Sequence, residues 1–415
     1  MKILFITDNF PPESNAPATR TFDHINIWQK QNKVEITVIT CFPNFPSGKV
    51  FKGYKNQPLK IEKINGIRVI RVWTYISKNE GTFRRIVDYI SFAITSSIAG
   101  LPLKTDLIIG TSPQFFTIFS ACFLSNIKRV PWIFELRDLW PESIVSVGAI
   151  KNKLVYRFLT KLEYSCYDSA SKIITVTHSF KTILVRNGVP KEKISVICNG
   201  VNTSLFHKRR KDFMLLKNLG IDGKFVVSYI GTIGMSHAID FIVRSAKKIK
   251  NDKIVILIIG SGAEKDNVRN QIKKEKVKNV ILLDTLPKIE IVKYLASIDV
   301  ALINLKKSPL FKTVIPSKIF ENAAMEKPIL LGVDGEARNM IEKYNAGIYF
   351  SPENEDDFLN KIQKLYRDTK FYKACQIGCR KLTRAYRRED LAKNMLKQIY
   401  KTMHENNLKF KNQIP

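Results

Sequence analysis

Short apolar runs alternate with longer amphipathic segments along almost the whole chain. One series of runs precedes residue 200 and a second follows it, and helical patterns separate most of them, as in parallel sheets built from β-α-β units. Together these strands are too many for one open sheet. The pattern therefore predicts an α/β protein with two doubly wound, parallel-sheet domains. The predicted strands are Ile3–Thr7, Val34–Thr40, Ile67–Val72, Asp106–Gly110, Pro131–Glu135, Lys172–Thr177 and Ile194–Cys198, then Phe225–Ile230, Ile254–Ile259, Val280–Leu283, Val300–Leu305, Pro328–Leu331 and Gly347–Phe350.

The boundary between the two series falls at the turn-forming segment 199–202 and the polar run 207–212. We therefore expect a Rossmann-like N-terminal domain over residues 1–200 and a second one over 201–387. The last helical pattern, about residues 388–406, has no strand after it, and we expect this helix to cross back onto the first domain. Because ligands bind at the carboxyl ends of parallel strands, the two sheets are expected to face each other across a ligand-binding cleft.

The chain is strongly basic. It has 68 Lys and Arg against 37 Asp and Glu in 415 residues, a formal charge of +31, which indicates an anionic partner. It has no helix-turn-helix or zinc-finger pattern, so we expect phosphorylated substrates and an anionic membrane surface rather than nucleic acid. The dispersed cysteines predict reduced thiols in the cytoplasm, and no metal-ligand spacing is present, so no metal is expected.

One apolar stretch, Ile86–Leu103, follows the basic pair Arg84 and Arg85. It contains Asp88 and Pro102, so we do not expect it to span a membrane. A basic pair followed by an apolar segment with aromatic residues fits a helix lying on a bilayer surface. The alternative is a buried helix of the first domain.

The segment Pro316–Glu321 is the strongest local indication of function. It contains the start of a predicted helix, Ser317–Glu326. Ser317 is the predicted cap, and Lys318 and Glu321 lie one turn apart. A helix N-terminus carries unpaired N–H groups and partial positive charge, which suits a diphosphate, and the lysine adds a full charge. The glutamate can accept hydrogen bonds from two ribose hydroxyls. An ordinary capped helix is the alternative.

Two glycine turns follow strands of the second domain. Gly231, Thr232 and Gly234 follow the first of these strands, and Gly260 follows the next. Glycines in such turns let backbone N–H groups approach a phosphate closely, although glycine turns between strand and helix are also common. Neither turn is a dinucleotide fingerprint, and the absence of a glycine-rich segment ending in Lys-Ser/Thr excludes a P-loop ATPase.

Polar residues also follow strands of the first domain. Arg137, Asp138, Trp140 and Glu142 lie together after one strand. An indole can stack on a sugar ring, and carboxylates can bind hydroxyls or abstract protons. The alternative is a loop in which the tryptophan belongs to the core and the Arg–Asp pair is structural.

A proline-stiffened loop after the first strand carries three more polar residues, Glu13, Asn15 and Arg20. Arg20 is placed to face an anion at this edge of the sheet. The alternative for this residue is an arginine that is simply solvated.

The order and spacing of these segments resemble the GT-B glycosyltransferases, specifically the retaining sugar-nucleotide enzymes of family 4, over nearly the whole length. The segments that resemble the family's donor half are 176–180, 188–206, 229–234, 259–262 and 316–328. The N-terminal segments 10–13 with Arg20, and 138–142, resemble the branch that contains the L-fucosamine transferases of O-antigen and capsule assembly.

The resemblance implies transfer of a sugar such as N-acetyl-L-fucosamine from a UDP-sugar to a polyprenyl-diphosphate-linked saccharide, in lipopolysaccharide or capsule biosynthesis. It implies a peripheral protein at the inner face of the plasma membrane, with no cofactor and no obligate metal. By this resemblance the donor would be bound by Gly231, Thr232, Gly234, His237, Gly260, Leu286, Ser317, Lys318 and Glu321. The acceptor would be bound by Glu13, Asn15, Arg20 and Trp140, and Asp138 and Glu142 would take part in proton transfer or acceptor binding.

The chain departs from the family pattern at two positions. Thr313 stands where the family has the first glutamate of a Glu-x7-Glu pair, and Glu321 is the second. His237 stands where the family has a lysine after the first glycine turn. Neutralisation of a diphosphate by His237 would depend on pH, and Lys318 would supply the missing charge.

Two other classes of function remain open at this point. A UDP-sugar epimerase or hydrolase on the same fold would need no lipid acceptor. A non-catalytic binder of nucleotides or polyanions would use the basic charge alone, and its affinity for nucleic acid would fall steeply with salt.

Overall fold

The computed structural model describes residues 1–31, 34–45, 47–76, 82–112, 114–141 and 152–411. The chain divides into two units. The first comprises Met1–Cys198 and Arg388–Pro415, and the second comprises Asn199–Arg387. Each unit is an α/β structure built on one sheet, which confirms the predicted fold class.

The described part of the first unit contains an eight-stranded sheet in the order β3-β4-β2-β1-β5-β6-β7-β8. All neighbouring strands are parallel except β3 and β4. Because β1 pairs with both β2 and β5, the winding direction reverses there, and the carboxyl end of β1 is the switch point where ligands bind in such sheets. The strands are β1 (Lys2–Ile6), β2 (Glu35–Cys41), β3 (Leu59–Ile64), β4 (Ile67–Val72), β5 (Leu107–Thr111), β6 (Trp132–Leu136), β7 (Lys172–Thr175) and β8 (Ile194–Val196).

The edge strand β3 is absent from the strands predicted from sequence. It is antiparallel to β4, and every second residue of β3 is exposed. Its sequence, Leu-Lys-Ile-Glu-Lys-Ile, mixes apolar and charged residues, so no continuous apolar run marks it. The turn Asn65-Gly66, with φ of 49° and 79°, is the hairpin signal that identifies β3.

Helices pack on both faces of this sheet. On one face α1 and the C-terminal helix α14 pack together, and the indole Nε1 of Trp28 donates to the carbonyl of Ala392 at 2.8 Å. This packing confirms that the last helix crosses back to the first unit. The helices of the unit are α1 (Ala16–Gln29), α2 (Thr82–Gly100), α3 (Thr117–Lys128), α4 (Lys153–Ser169), α5 (His178–Arg186) and α14 (Arg388–Lys411).

The second unit contains a six-stranded, wholly parallel sheet in the order β11-β10-β9-β12-β13-β14. Its switch point lies between β9 and β12. Strand β10, with the sequence Ile-Val-Ile-Leu-Ile-Ile, is buried along its whole length, as expected of a strand covered on both faces. The strands are β9 (Phe225–Ile230), β10 (Ile254–Ile259), β11 (Val280–Leu283), β12 (Val300–Asn304), β13 (Ile329–Gly332) and β14 (Gly347–Tyr349).

Two apolar clusters, one on each face of this sheet, form the core of the second unit. Short 3₁₀ turns at Met235–His237 and Leu310–Thr313 follow β9 and β12. The helices are α6 (Phe213–Asn218), α7 (Ile239–Lys247), α8 (Lys265–Lys274), α9 (Lys288–Ser297), α10 (Lys318–Ala324), α11 (Glu336–Tyr344), α12 (Glu355–Arg367) and α13 (Thr369–Ala385).

A buried ion pair in the first unit joins α1, β6 and the segment that follows β8. The guanidinium of Arg20, on α1, donates to a carboxylate oxygen of Glu135, on β6, at 2.8 Å, and both side chains are at most 2% exposed. The same guanidinium donates to the carbonyls of Cys198 and Ile197 at 2.8 and 3.0 Å. Burial opposes ionisation of Glu135, but Arg20 and Arg137 outweigh it and hold the pKa of this carboxyl below its ordinary value. The pair fixes α1 against the sheet.

Replacing Arg20 by Ala removes the hydrogen-bonded partner of the buried Glu135 carboxylate. We expect the Arg20→Ala substitution to lower the free energy of unfolding of the first unit by about 3 to 5 kcal/mol. Urea denaturation followed by circular dichroism measures this change. The exposed Arg186→Ala on α5 is the matched control and should change the free energy by less than about 0.5 kcal/mol. Equal midpoints for Arg20→Ala and the wild type would contradict a structural role for this pair.

Candidate functional site

The turn after β9 lies at the switch point of the second sheet. It begins at Gly231, whose φ is +149°, a backbone region open to glycine. The neighbouring loop after β10 holds this turn in place, because the N–H of Ile233 donates to the carbonyl of Ser261 at 2.9 Å and the N–H of Glu264 donates to the carbonyl of Ile233 at 3.0 Å. The turn is therefore set before any ligand arrives.

Gly260 supports the turn from below. A Cβ at Gly260 would lie 1.8 Å from the carbonyl oxygen of Gly231, and a Cβ at Gly262 would lie 2.3 Å from that of Ile233. Both positions therefore require glycine. Gly260 is buried, and its observed contact is with the neighbouring turn; the direct donor contact that the resemblance implies for it stays a prediction.

Lys318 places its ammonium group against this turn. The Nζ atom of Lys318 lies 4.1 Å from the ring centroid of Tyr229. A Cβ at Gly231 would lie 2.5 Å from this Nζ atom. Burial lowers the pKa of Lys318 to about 8, and nearby Glu321 opposes part of that shift. A desolvated ammonium beside exposed backbone of a glycine turn is suited to bind an anion.

His237 lies at the end of the 3₁₀ turn that follows. A Cβ at Gly234 would lie 3.5 Å from its Nδ1 atom. Burial, helped by the charge of Lys318, lowers the pKa of His237 to about 4, so the imidazole is neutral at pH 7.

Asn304, at the end of β12, holds the His237 segment and was not predicted from the sequence. Its Nδ2 donates to the carbonyls of His237 and Ala238 at 2.9 and 3.4 Å. Lys306, two residues further along, makes a second hydrogen bond to this segment: its N–H donates to the carbonyl of Ser236 at 2.9 Å. The only signal in the sequence is a polar residue closing an otherwise apolar strand.

Helix α10 begins at Lys318 and ends at Ala324, so it is shorter at both ends than the predicted helix. Ser317 occupies the cap position, but its side chain makes no capping hydrogen bond, which corrects the prediction of a serine cap. Its φ and ψ of −59° and −27° are helical rather than extended, which explains the missing bond. Glu321 lies in the first turn, half-buried, with its charge close enough to act on Lys318.

The remaining donor candidates lie at the same edge of the sheet. The side chain of Thr232 is exposed, and its carbonyl accepts the hydroxyl of Tyr229 at 2.6 Å. Leu286 follows β11 and packs half-buried against the apolar core. Thr313, which replaces the family's glutamate, donates its hydroxyl to the carbonyl of Leu310 at 2.7 Å. The structure thus collects the predicted donor residues at one sheet edge, and their roles in binding stay predictions.

In the first unit the loop after β1 uses its polar side chains internally. One carboxylate oxygen of Glu13 accepts the N–H groups of Asn44 and Phe45 at 2.9 and 2.8 Å, and burial raises the pKa of Glu13 to about 7. Asn15 caps α1 by accepting the N–H of Ala18 at 3.0 Å. Neither side chain is exposed.

Arg20 and Trp140 are also committed to the first unit. Arg20 is 1% exposed and makes the buried pair described above, so it is neither a solvated arginine nor one that faces an anion at the surface. The indole of Trp140 is 6% exposed and stacks on Phe115 with 4.3 Å between ring centroids. A sugar therefore has no open face of this indole to stack on, and the structural alternative fits Trp140 better.

Of the two residues predicted to act in proton transfer, Asp138 lies half-buried after β6, and Glu142 lies outside the described residues. Over the described ranges, no three His, Cys, Asp or Glu side chains are grouped to hold a metal ion. No helix within those ranges is long and apolar enough to cross a membrane.

Two family models match the chain, one in each half. Residues 20–205 match the model described as Glycosyltransferase Family 4, and residues 214–381 match the model described as Glycosyl transferases group 1. The second match contains the glycine turn, Lys318 and Glu321.

Curated relatives are 20 to 27% identical to this chain over the parts that align. WcaI of Escherichia coli (strain K12), whose name attributes it to colanic acid biosynthesis as a glycosyl transferase, is 24% identical over 68% of this chain and 70% of its own. The probable glycosyltransferase WbjE of Pseudomonas aeruginosa is 27% identical over 66% of this chain and 68% of its own. A Campylobacter jejuni N-acetylgalactosaminyltransferase, named for a diphospho-undecaprenol-linked acceptor, is 20% identical over 72% and 77%.

Solved structures share the fold. Sucrose-phosphate synthase from Thermosynechococcus elongatus superposes with a TM-score of 0.75 at 16% identity, covering 98% of this chain and 99% of that one. Anabaena HepE in complex with UDP-glucose superposes with a TM-score of 0.71 at 15% identity, covering 97% and 100%.

The contact beneath the glycine turn can be tested on its own. A methyl group at Gly260 would collide with the Gly231 carbonyl, so we expect Gly260→Ala to lower the free energy of unfolding of the second unit by about 1 to 3 kcal/mol. Urea denaturation measures the change. The neighbouring, exposed Ser261→Ala is the control and should stay within about 0.5 kcal/mol of the wild type. A Gly260→Ala variant as stable as Ser261→Ala would show that the turn does not depend on this contact.

Proposed function

We propose that this chain, a GT-B glycosyltransferase with a family 4 domain and a group 1 domain, binds a UDP-sugar in its second unit and transfers the sugar to a lipid-linked saccharide in bacterial polysaccharide biosynthesis. The observation that carries the proposal is the ammonium group of Lys318 held against the Gly231 turn. Anion-binding groups converge there at the switch point of the sheet.

The diphosphate of the donor would occupy the turn. Backbone N–H groups between Gly231 and Gly234 would donate to its oxygens, and Lys318 would supply positive charge. Glu321, in the first turn of α10, would accept hydrogen bonds from the ribose hydroxyls. The UDP complexes of HepE, which shares the fold, support a nucleotide of this kind.

The transfer we propose retains the configuration of the donor sugar. The bond between the anomeric carbon and the β-phosphate oxygen breaks while the acceptor oxygen bonds to the same carbon from the same face. The proton of the acceptor hydroxyl passes to the departing diphosphate, so no covalent nucleophile is needed. Lys318 and the backbone N–H groups stabilise the charge that develops on UDP, which removes the need for a metal.

The lowered pKa values of Lys318 and His237 support a role in receiving negative charge. Both groups lose part of their hydration to the protein, and a bound diphosphate would restore favourable charge interactions. His237, neutral before the donor binds, would gain basicity beside a dianion. It could then donate a hydrogen bond or a proton to the departing phosphate in place of the lysine that the family has there.

The donor we propose is an N-acetylated amino sugar such as N-acetyl-L-fucosamine, and the acceptor a polyprenyl-diphosphate-linked saccharide at the cytoplasmic face of the inner membrane. The Campylobacter relative, whose name gives an N-acetylgalactosaminyl donor group and a diphospho-undecaprenol-linked acceptor, supports both assignments. The names of WcaI and WbjE support a place in surface polysaccharide assembly. The six free thiols fit a reducing compartment.

Nucleotide selectivity tests the donor assignment. We expect calorimetry without added metal to show UDP binding to the purified protein and weaker binding of GDP and ADP. Glu321→Ala should weaken UDP binding by about tenfold or more, because a bidentate contact to the ribose is lost. The exposed Glu342→Ala on α11 is the control and should bind UDP as the wild type does. If no nucleotide binds, or Glu321→Ala binds UDP unchanged, the donor site is wrongly assigned.

The pKa of Lys318 predicts a pH dependence. In the free protein this pKa is about 8, and a bound diphosphate raises it, so binding takes up a proton above pH 8. UDP affinity should therefore fall as pH rises above 8, by at most tenfold for each pH unit. Lys318→Met should bind UDP more weakly at pH 7 and lose this alkaline dependence. The exposed Lys370→Met on α13 should keep it; an alkaline dependence retained in Lys318→Met would contradict the proposal.

A further inference from the structure

Helix α2 exposes a stripe of large apolar side chains. Ile86, Ile90, Ile94 and Ile98 recur every four residues and are 36 to 62% exposed. This spacing places them on one side of the helix. The opposite side is buried, with Phe92 fully inaccessible. The helix is therefore neither wholly buried nor suited to span a bilayer; it is amphipathic.

Two neighbouring helices extend this surface. On α3, Phe123 and Ile127 are each about half exposed. On α4, Leu154, Val155 and Phe158 are exposed, and Leu154 is 72% accessible. Isolated exposed apolar residues are common on soluble proteins, but this many on consecutive helices indicate an interaction surface.

The three helices lie side by side. Between α2 and α3, the hydroxyl of Ser96 donates to that of Ser120 at 3.0 Å. Between α3 and α4, the thiol of Cys122 lies 3.3 Å from the hydroxyl of Ser169. We call the outward sides of α2, α3 and α4 the three-helix face.

The exposed charged residues on these three helices, and directly after α3, are mostly basic. Acidic residues on the same helices are few: Asp88 is half-buried and interacts with Asp8, Glu163 is buried, and Asp168 is exposed in the last turn of α4. The exposed basic residues are Arg84, Arg129, Lys153, Arg157 and Lys161.

We propose that the three-helix face docks on an anionic lipid bilayer. The isoleucine and phenylalanine side chains enter the boundary between headgroups and acyl chains, and the surrounding arginines and lysines interact with lipid phosphates. A second copy of the chain placed on the same face would bring basic residues against basic residues, so charge favours lipid over self-association. This docking rests on the proposed function, because it would bring the protein to a lipid-linked acceptor. Binding to the bilayer itself does not depend on binding of the UDP-sugar.

Vesicle sedimentation tests the apolar part of the face. The wild type should bind vesicles of phosphatidylcholine with phosphatidylglycerol and bind phosphatidylcholine alone weakly. Ile98→Glu should reduce binding to the anionic vesicles by about tenfold or more, because one inserted side chain is lost and a like charge is added. The matched control is Ile377→Glu, a half-exposed isoleucine on α13 of the second unit, which should bind as the wild type does.

Charge reversal tests the basic part. The double variant Arg157→Glu with Lys161→Glu should lose most of its binding to anionic vesicles, as should the wild type in high salt. The double variant Lys370→Glu with Lys373→Glu, exposed on α13, makes the same change in net charge away from the face and should retain most of its binding.

The proposal is overturned if the wild type does not sediment with anionic vesicles, or if Ile98→Glu binds them as well as Ile377→Glu does. Light scattering tests the alternative that a second copy of the chain occupies this face. A wild-type dimer that does not bind vesicles, and that becomes a monomer in Ile98→Glu, would identify the face as an interface between two copies. UDP binding is measured on the same preparations and should be unchanged in every variant. Vesicle binding without UDP binding would count against the proposed function alone.

Discussion

The candidate donor site depends on one partly buried positive charge held against a glycine turn. Lys318 is anchored at the start of α10, and its ammonium group lies over Tyr229 where a Cβ at Gly231 would collide with it. The turn itself is fixed by the loop after β10, which approaches so closely that Gly260 and Gly262 admit no side chain. Removing an ammonium from water is costly, which explains its lowered pKa. A bound diphosphate would offset that cost by its charge interaction with the ammonium group. The geometry that disfavours the charged lysine in the free protein would therefore favour binding of the diphosphate.

Much of this architecture could be predicted from sequence. The central strands are continuous apolar runs, which the alternation of strand and helix identifies directly, and Gly231, Lys318 and Glu321 occupy the strand ends and helix starts where parallel sheets bind ligands. Strand β3 was missed because its sequence mixes charged and apolar residues, so no continuous apolar run marks it. Asn304 was missed because its role depends on a contact with a segment more than sixty residues away in sequence, which no local pattern reveals.

In the first unit, residue type and position along the chain did not predict the role of the side chains. Arg20 and Trp140 have residue types that bind anions and sugars, and they follow strands at the ligand edge, yet both are buried in partnerships with Glu135 and Phe115. The sequence gives the type of side chain but not its partner, which depends on tertiary packing. The exposed side of α2 belongs to the three-helix face, and the sequence had left two interpretations of this stretch open, a helix on a bilayer surface and a buried helix.

A crystal structure of the protein soaked with UDP tests whether the Gly231 turn and Lys318 bind the donor diphosphate. We expect the diphosphate in the turn between Gly231 and Gly234, within hydrogen-bonding distance of the Lys318 ammonium, with the ribose hydroxyls bound to Glu321. UDP bound elsewhere, or bound in the turn with Lys318 directed away from the phosphates, would contradict it.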